Sequence, residues 1–117
     1  MVDLHVPGTP ETHHLMDAGA FAQMKPTAYL VNTCRGSVVD TEALVAALQT
    51  GQIAGAGLDV HEEEPLPADH PLRSLPHVIL TPHVAFYSEE AVAQLREDTC
   101  VNIVNVLSGQ PPISRVV

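Results

Sequence analysis

Three kinds of side chain in this 117-residue sequence could share a reaction: the arginine of "NTCRG" (Asn32 to Gly36), the carboxylates of "HEEEP" (His61 to Pro65) and the histidine of "TPHV" (Thr81 to Val84). Arg35 is one of only five Lys and Arg residues, and it stands where an apolar run ends. A guanidinium keeps its charge in a protein, so at such a position it needs an anion, either a protein carboxylate or a bound ligand. With a carboxylate and an imidazole beside it, the set offers recognition of an anionic substrate and transfer of a proton. Each residue also has a plainer role. Arg35 could pair with Glu62, Glu63 or Glu64, the acidic run could be a solvated turn, and His83 could simply bond backbone, since strand-end loops are polar in any case.

Other constellations are weaker. "HEEEP" has no second His four residues on, and adjacent His13 and His14 are expected to point in different directions, so no metal is expected. Cys34 beside Arg35 has a setting that suits a nucleophilic thiolate, but it suits a small packed residue better. Cys34 and Cys100 are too few and too far apart for a disulfide framework, and both read as reduced thiols. "GAGLDV" (Gly55 to Val60) lacks the third glycine of the dinucleotide fingerprint and enters a strand instead of opening a helix. Gly55 and Gly57 are expected to permit close packing within the sheet.

The apolar pattern says how the chain brings these residues together. "VDLHV" (Val2 to Val6), "AYLVN" (Ala28 to Asn32), "AGAGLDV" (Ala54 to Val60) and "HVILT" (His77 to Thr81) have strand length. The last three are continuous rather than alternating, as in parallel strands covered on both faces. Helical patterns separate them: "DAGAFAQM" (Asp17 to Met24), then "TEALVAALQT" (Thr41 to Thr50), with Leu44 and Leu48 one turn apart and Gly51 as the stop. A final helix follows Ser88 as N-cap, with Glu89 and Glu90 in its first turn, Gly109 at its exit, and Val92, Leu95, Thr99, Ile103 and Val106 as an inward stripe. Residues 62–76 form a Pro-rich loop with one helical turn at "HPLRSL". The fold class is α/β, a partial Rossmann-like doubly wound parallel sheet over residues 1–109, with 110–117 as a tail. Strands running one way share a carboxyl edge, where open α/β sheets bind ligands. "PGTPET", "TCRG", "HEEEP" and "PHVAFY" fall just past the strands, so Arg35, the glutamates and His83 meet at one rim.

Composition narrows the function. Hydrophobic residues make up 45% and aromatic ones 3%, which implies a globular fold with an aliphatic core. A net charge of -9 repels nucleic acid and anionic lipid surfaces. No apolar stretch approaches the roughly 20 residues of a bilayer span, and the N-terminus lacks the basic start of a signal peptide, so the cytoplasm is expected.

The ordered segments "LHVPGTPETHHLM", "MKPTAYLVNTCRGSVVDTEALVAAL", "GQIAGAGLDVHEEEPLP" and "HVILTPHVAFYSEEA" resemble the second half of the NAD-binding domain of D-isomer-specific 2-hydroxyacid dehydrogenases. "LDVHEEEP" with "PHVAFYSEEA" looks most similar to the branch of the C-terminal-binding proteins, corepressors that kept the dehydrogenase fold. The resemblance implies an NAD-dependent oxidoreductase acting on a small 2-hydroxy or 2-keto acid, with Arg35, Glu64 and His83 as its catalytic residues. Arg35 would grip the substrate carboxylate, His83 would exchange a proton with the oxygen at C2, and Glu64 would orient the imidazole and stabilise positive charge on it. NAD contacts implied in the same way are Val6, Pro7, Gly8, Thr9, Pro10, Glu11 and Thr12 in the first loop, then Thr33, Cys34 and Arg35. Asp59 near the carboxamide and His83, Val84, Ala85 and Phe86 on the nicotinamide side complete the set. Cys34 replaces the family's usual alanine. The resemblance further implies that the phosphate loop and the substrate domain would precede Met1, that the chain alone is incomplete and inactive, and that a homodimer or a missing N-terminal portion covers the sheet edge at Val2 to Val6. A dinucleotide-sensing interaction protein and a truncated product are the alternatives.

Overall fold

The computed structural model describes residues 1–114. They fall into two compact units, the first ending at Ala85 and the second beginning at Phe86.

In the first unit, strands β1 (Val2–Leu4), β2 (Tyr29–Asn32), β3 (Gly55–Leu58) and β4 (Val78–Leu80) form one sheet in the order β1-β2-β3-β4, every pair parallel. Helix α1 (Ala18–Ala22) links β1 to β2, and α2 (Thr41–Gln49) links β2 to β3. Both begin at an aspartate whose side chain accepts an early amide: Asp17 from Ala20 N–H at 2.8 Å, Asp40 from Ala43 N–H at 3.0 Å. Gly51, with φ 69°, ends α2 as expected. Phe21, Leu30, Val38 and Leu44 are sealed between helices and sheet, with Ile53, Leu58 and Leu72 packed around them. This is the aliphatic core the composition implies. The loop between β3 and β4 holds one 3₁₀ turn at Pro71–Arg73, where a single turn is expected.

Glycines set the closest approaches. A Cβ on Gly55 would stand 2.4 Å from the carbonyl oxygen of His77, so close packing explains this residue. Gly57 meets only Val31 at an ordinary 4.0 Å, and that explanation does not extend to it. The tightest contact is at Gly36, where a Cβ would lie 2.0 Å from the main-chain carbon and oxygen of His61. The turn after β2 and the loop after β3 touch there backbone to backbone.

Three expectations need correction. Ile79 of β4 is 71% exposed, so this strand is not covered on both faces by the described residues; it is an edge strand with a neighbour on one side only. His13 and His14 do not diverge. His14 has a left-handed backbone, φ 52°, which turns its ring back until the two imidazoles stack with centroids 4.0 Å apart. The third correction concerns the second unit. Its helix α3 (Glu89–Leu107) starts at Ser88 and is followed by Gly109 at φ 74°, both as expected. Yet α3 buries none of its side chains: Val92 is half-buried, while Leu95, Thr99, Ile103 and Val106 are exposed. Periodicity marks an apolar face, but burial requires a surface opposite, and the second unit by itself supplies none. Among the described residues no helix is long and apolar enough to cross a membrane. Part of the expected tail, residues 115–117, lies outside the described residues.

Gly36→Ala is expected to destabilise the first unit by more than about 2 kcal/mol, because the obstacle is rigid main chain rather than a movable side chain. The midpoint of denaturant unfolding measures it; an unchanged midpoint would contradict the contact.

Candidate active site

The four strands end level. Leu4 pairs with Asn32, Asn32 with Leu58 and Leu58 with Leu80, so the segments carrying Arg35, Glu64 and His83 leave the sheet along one row. Arg35 follows β2 and His83 follows β4, with β3 between, so the strands they leave lie two spacings, about 10 Å, apart.

Asn32 shapes the arginine turn. Fully buried, it donates from Nδ2 to the carbonyl of Arg35 at 2.9 Å and accepts from the backbone N–H and the thiol of Cys34, both at 3.1 Å. Cys34 is thus a half-buried residue packed on the core, as preferred above. Arg35 is exposed, and its Nη1 donates to the carbonyl of Cys34 at 2.6 Å. Among the described residues no carboxylate forms an ion pair with it, so the plainer role, neutralisation by the loop glutamates, is not what the structure adopts. The first loop comes close, since a Cβ on Gly8 would sit 3.1 Å from the Arg35 Cγ.

The glutamates have other partners. Glu64 Oε2 meets His83 Nδ1 at 2.8 Å, and its Oε1 accepts the His61 backbone N–H at 2.9 Å. The hydrogen bond with His83, then that from His61, holds the Glu64 carboxyl below the usual glutamate value. An ionised carboxylate only accepts, so the imidazole carries its hydrogen on Nδ1. The pair borders a cleft of about 580 Å³ that Leu66, Leu80 and Arg73 also line. Arg73 braces its wall by donating to the carbonyls of Leu66 at 2.6 Å and Pro67 at 2.7 Å.

Asp59 fixes the histidine. It is buried, and its Oδ1 accepts from the Thr81 hydroxyl and from the Val84 N–H at 2.8 Å, while Oδ2 accepts the Ala85 N–H at 2.8 Å. Its own carbonyl accepts the His83 N–H at 2.8 Å. These bonds hold His83 in the left-handed region, φ 57°, a backbone state that costs about 1–3 kcal/mol for a residue with a side chain. Burial pushes the Asp59 carboxyl up, but the bonds from Thr81, Val84 and Ala85 outweigh it and leave the group below the usual aspartate value.

The remaining expected residues divide. Thr12 ties the first loop, accepting the Thr9 N–H at 2.9 Å and donating to the Pro7 carbonyl at 2.6 Å. Val6 packs on the core; Pro7, Gly8, Pro10 and Glu11 are exposed, as are Thr33, Val84 and Ala85. Phe86 belongs to the second unit, where its ring tilts against Tyr87. Sequence reasoning missed the bonding roles of Asn32 and Asp59 and the contact of Gly36. The one available signal was a polar residue at the end of each apolar run.

The family described as "D-isomer specific 2-hydroxyacid dehydrogenase, NAD binding domain" matches residues 1–85, the whole of the first unit. The chain belongs to this family. Glyoxylate reductase of Thermofilum pendens is 52% identical over 112 residues, covering 96% of this chain and 33% of that protein. The TT0316 protein of Thermus thermophilus superposes with TM-score 0.91 at 46% identity, covering 99% of this chain and 37% of the other. D-lactate dehydrogenase of Lactobacillus jensenii, solved with NAD+, gives TM-score 0.87 at 33% identity over 98% of this chain and 38% of the other. The chain thus spans about a third of the length of such 2-hydroxyacid dehydrogenases. The expected nearness to the corepressor branch finds no support, because these relatives are reductases and dehydrogenases.

Asp59→Asn is expected to cost about 1–3 kcal/mol, since the amide nitrogen would face backbone donors. The sign of the pH effect follows from the lowered values. Above the ordinary carboxylate values of 3.8 and 4.5, ionised Asp59 and Glu64 stabilise the fold in full, and the contribution disappears as pH falls through their lower folded-state values. Denaturant unfolding from neutral to acid pH should show a flatter pH dependence in Asp59→Asn; an identical slope would remove Asp59 from this account.

Proposed function

We propose that this chain supplies the substrate-binding guanidinium and the proton-transfer pair of an NAD-dependent dehydrogenase that interconverts 2-hydroxy and 2-keto acids. The observation that carries the reading is the Glu64–His83 pair at 2.8 Å on the same strand-end row as an arginine without an ion-pair partner among the described residues. The names of relatives, glyoxylate reductase and D-lactate dehydrogenase, agree in substrate class.

Arg35 offers a planar fork to the substrate carboxylate, which places the C2 oxygen toward His83. In reduction the Nε2 of a protonated His83 donates its proton to that oxygen; in oxidation the same nitrogen removes it. Glu64 keeps the ring in the Nδ1–H orientation and balances the imidazolium charge while it lasts. NAD, when bound, supplies or accepts the hydride at C2. The residues that would hold it are those of the first loop, Val6 to Thr12, with Thr33 to Arg35, Asp59 and His83 to Ala85. The first loop fits that role: an open groove of about 540 Å³ runs along Gly8, Thr9 and Pro10, bounded by Ser37 from the arginine turn. Asp59 would reach the carboxamide through Oδ2, which accepts the Ala85 N–H and no other hydrogen bond among the described residues. A second copy, or chain beyond the described residues, would cover the open edge of β1.

NADH oxidation with glyoxylate, hydroxypyruvate and pyruvate, measured on the protein that carries this chain, tests the reading. His83→Ala is expected to lower kcat by about 10²–10⁴. Arg35→Lys should act mainly on KM, because an ammonium cannot form the bidentate contact. Unchanged turnover after His83→Ala would refute the assignment.

A further inference from the structure

We propose that His13, His14 and Glu62 form a binding site for a divalent transition-metal ion of the zinc class, which clamps the loop after β1 to the acidic loop after β3. The inference does not rest on the dehydrogenase reading: none of the three residues is placed at the reacting atoms, although His13 lines the groove along Gly8 to Pro10 that is proposed for NAD.

The geometry starts from the left-handed turn at His14. It stacks the rings of His13 and His14, which leaves a donor atom of each within reach of Glu62. One donor atom from each of the three lies within 4.8 Å of the other two. Tetrahedral zinc, with bonds of about 2.0–2.1 Å to nitrogen or oxygen, needs donors about 3.3 Å apart. Side-chain rotation supplies the difference, as His13 is exposed and His14 and Glu62 lie at the surface.

The groups behind the donors make this more than a surface cluster. His14 approaches Glu62 Oε1 through Nε2 at 2.7 Å, which leaves its Nδ1 facing the carboxylate of Asp40 at 3.8 Å. A metal-bound imidazole commonly turns its second nitrogen toward a carboxylate, which fixes the ring and raises its basicity. Glu62 is anchored in the same manner: while Oε1 faces His14, Oε2 accepts the Thr41 N–H at the start of α2 at 2.9 Å. Two imidazoles and a carboxylate suit Zn²⁺, Ni²⁺ or Cu²⁺ and disfavour Mg²⁺ and Ca²⁺, which take oxygen donors. Three protein ligands leave a fourth position for water.

Glu62 lies two residues before Glu64, and His13 adjoins the groove beside Gly8 to Pro10. An ion here would reinforce the exposed hydrogen bond from His14 to Glu62 that links these two segments.

The test uses metal-depleted protein titrated with Zn²⁺ by calorimetry and with Co²⁺ by visible absorption. One equivalent should bind, with cobalt d–d bands and a rise in thermal midpoint. His13→Ala and Glu62→Gln should each weaken the Zn²⁺ Kd at least about tenfold. His5→Ala and Cys100→Ser, at other donors, should leave it within about twofold. His13 is exposed, so its loss leaves the fold intact, and far-UV circular dichroism verifies this for both site variants. Absence of saturable uptake would overturn the proposal, as would binding that survives both His13→Ala and Glu62→Gln.

Discussion

A single buried carboxylate holds the site in order. Asp59 gathers the hydroxyl of Thr81 and the amides of Val84 and Ala85 on its side chain and the amide of His83 on its carbonyl. A negative charge out of water demands compensation, and here the donors come from backbone that would otherwise be a mobile strand-end loop. The unusual backbone of His83 follows from this demand.

The sheet adds the lateral dimension. Parallel strands ending level place their loops side by side, and the right order of strands makes β2 and β4 flank β3. Charge-bearing groups drawn from positions 35, 64 and 83 reach one edge with no long excursion of the chain. Partner choice then separates them. Glu64 is committed to His83, Glu62 to His14 and the N-terminus of α2, and Arg35 to no carboxylate among the described residues. Glu62 and Glu64, two of the three adjacent glutamates, therefore serve different partners.

Much of this was legible from residue patterns. Short apolar runs separated by capped helical segments dictate parallel strands, which holds for β1 to β4 and for the helices begun by Asp17 and Asp40; the common ligand edge is the expectation on which the proposed function rests. Pairing within the site was less accessible. Which of Glu62, Glu63 and Glu64 meets which histidine depends on a loop whose direction no periodicity encodes. The turn at His14 was misread because local rules for neighbouring side chains assume ordinary φ, and a left-handed residue without glycine leaves no compositional mark. Burial of α3 was misjudged for a different reason: an amphipathic stripe states a need, and only tertiary structure supplies its counterpart.

The contact between Gly36 and the main chain of His61 has a mechanical consequence. Arg35 precedes the first of these residues by one position, and Glu64 follows the second by three. Two segments pressed together with no side chain between them have little room to slide, so their thermal excursions are correlated. The spacing between Arg35 and the Glu64–His83 pair is thereby governed by a rigid joint, and a molecule lodged between them would encounter a jaw of constant gauge.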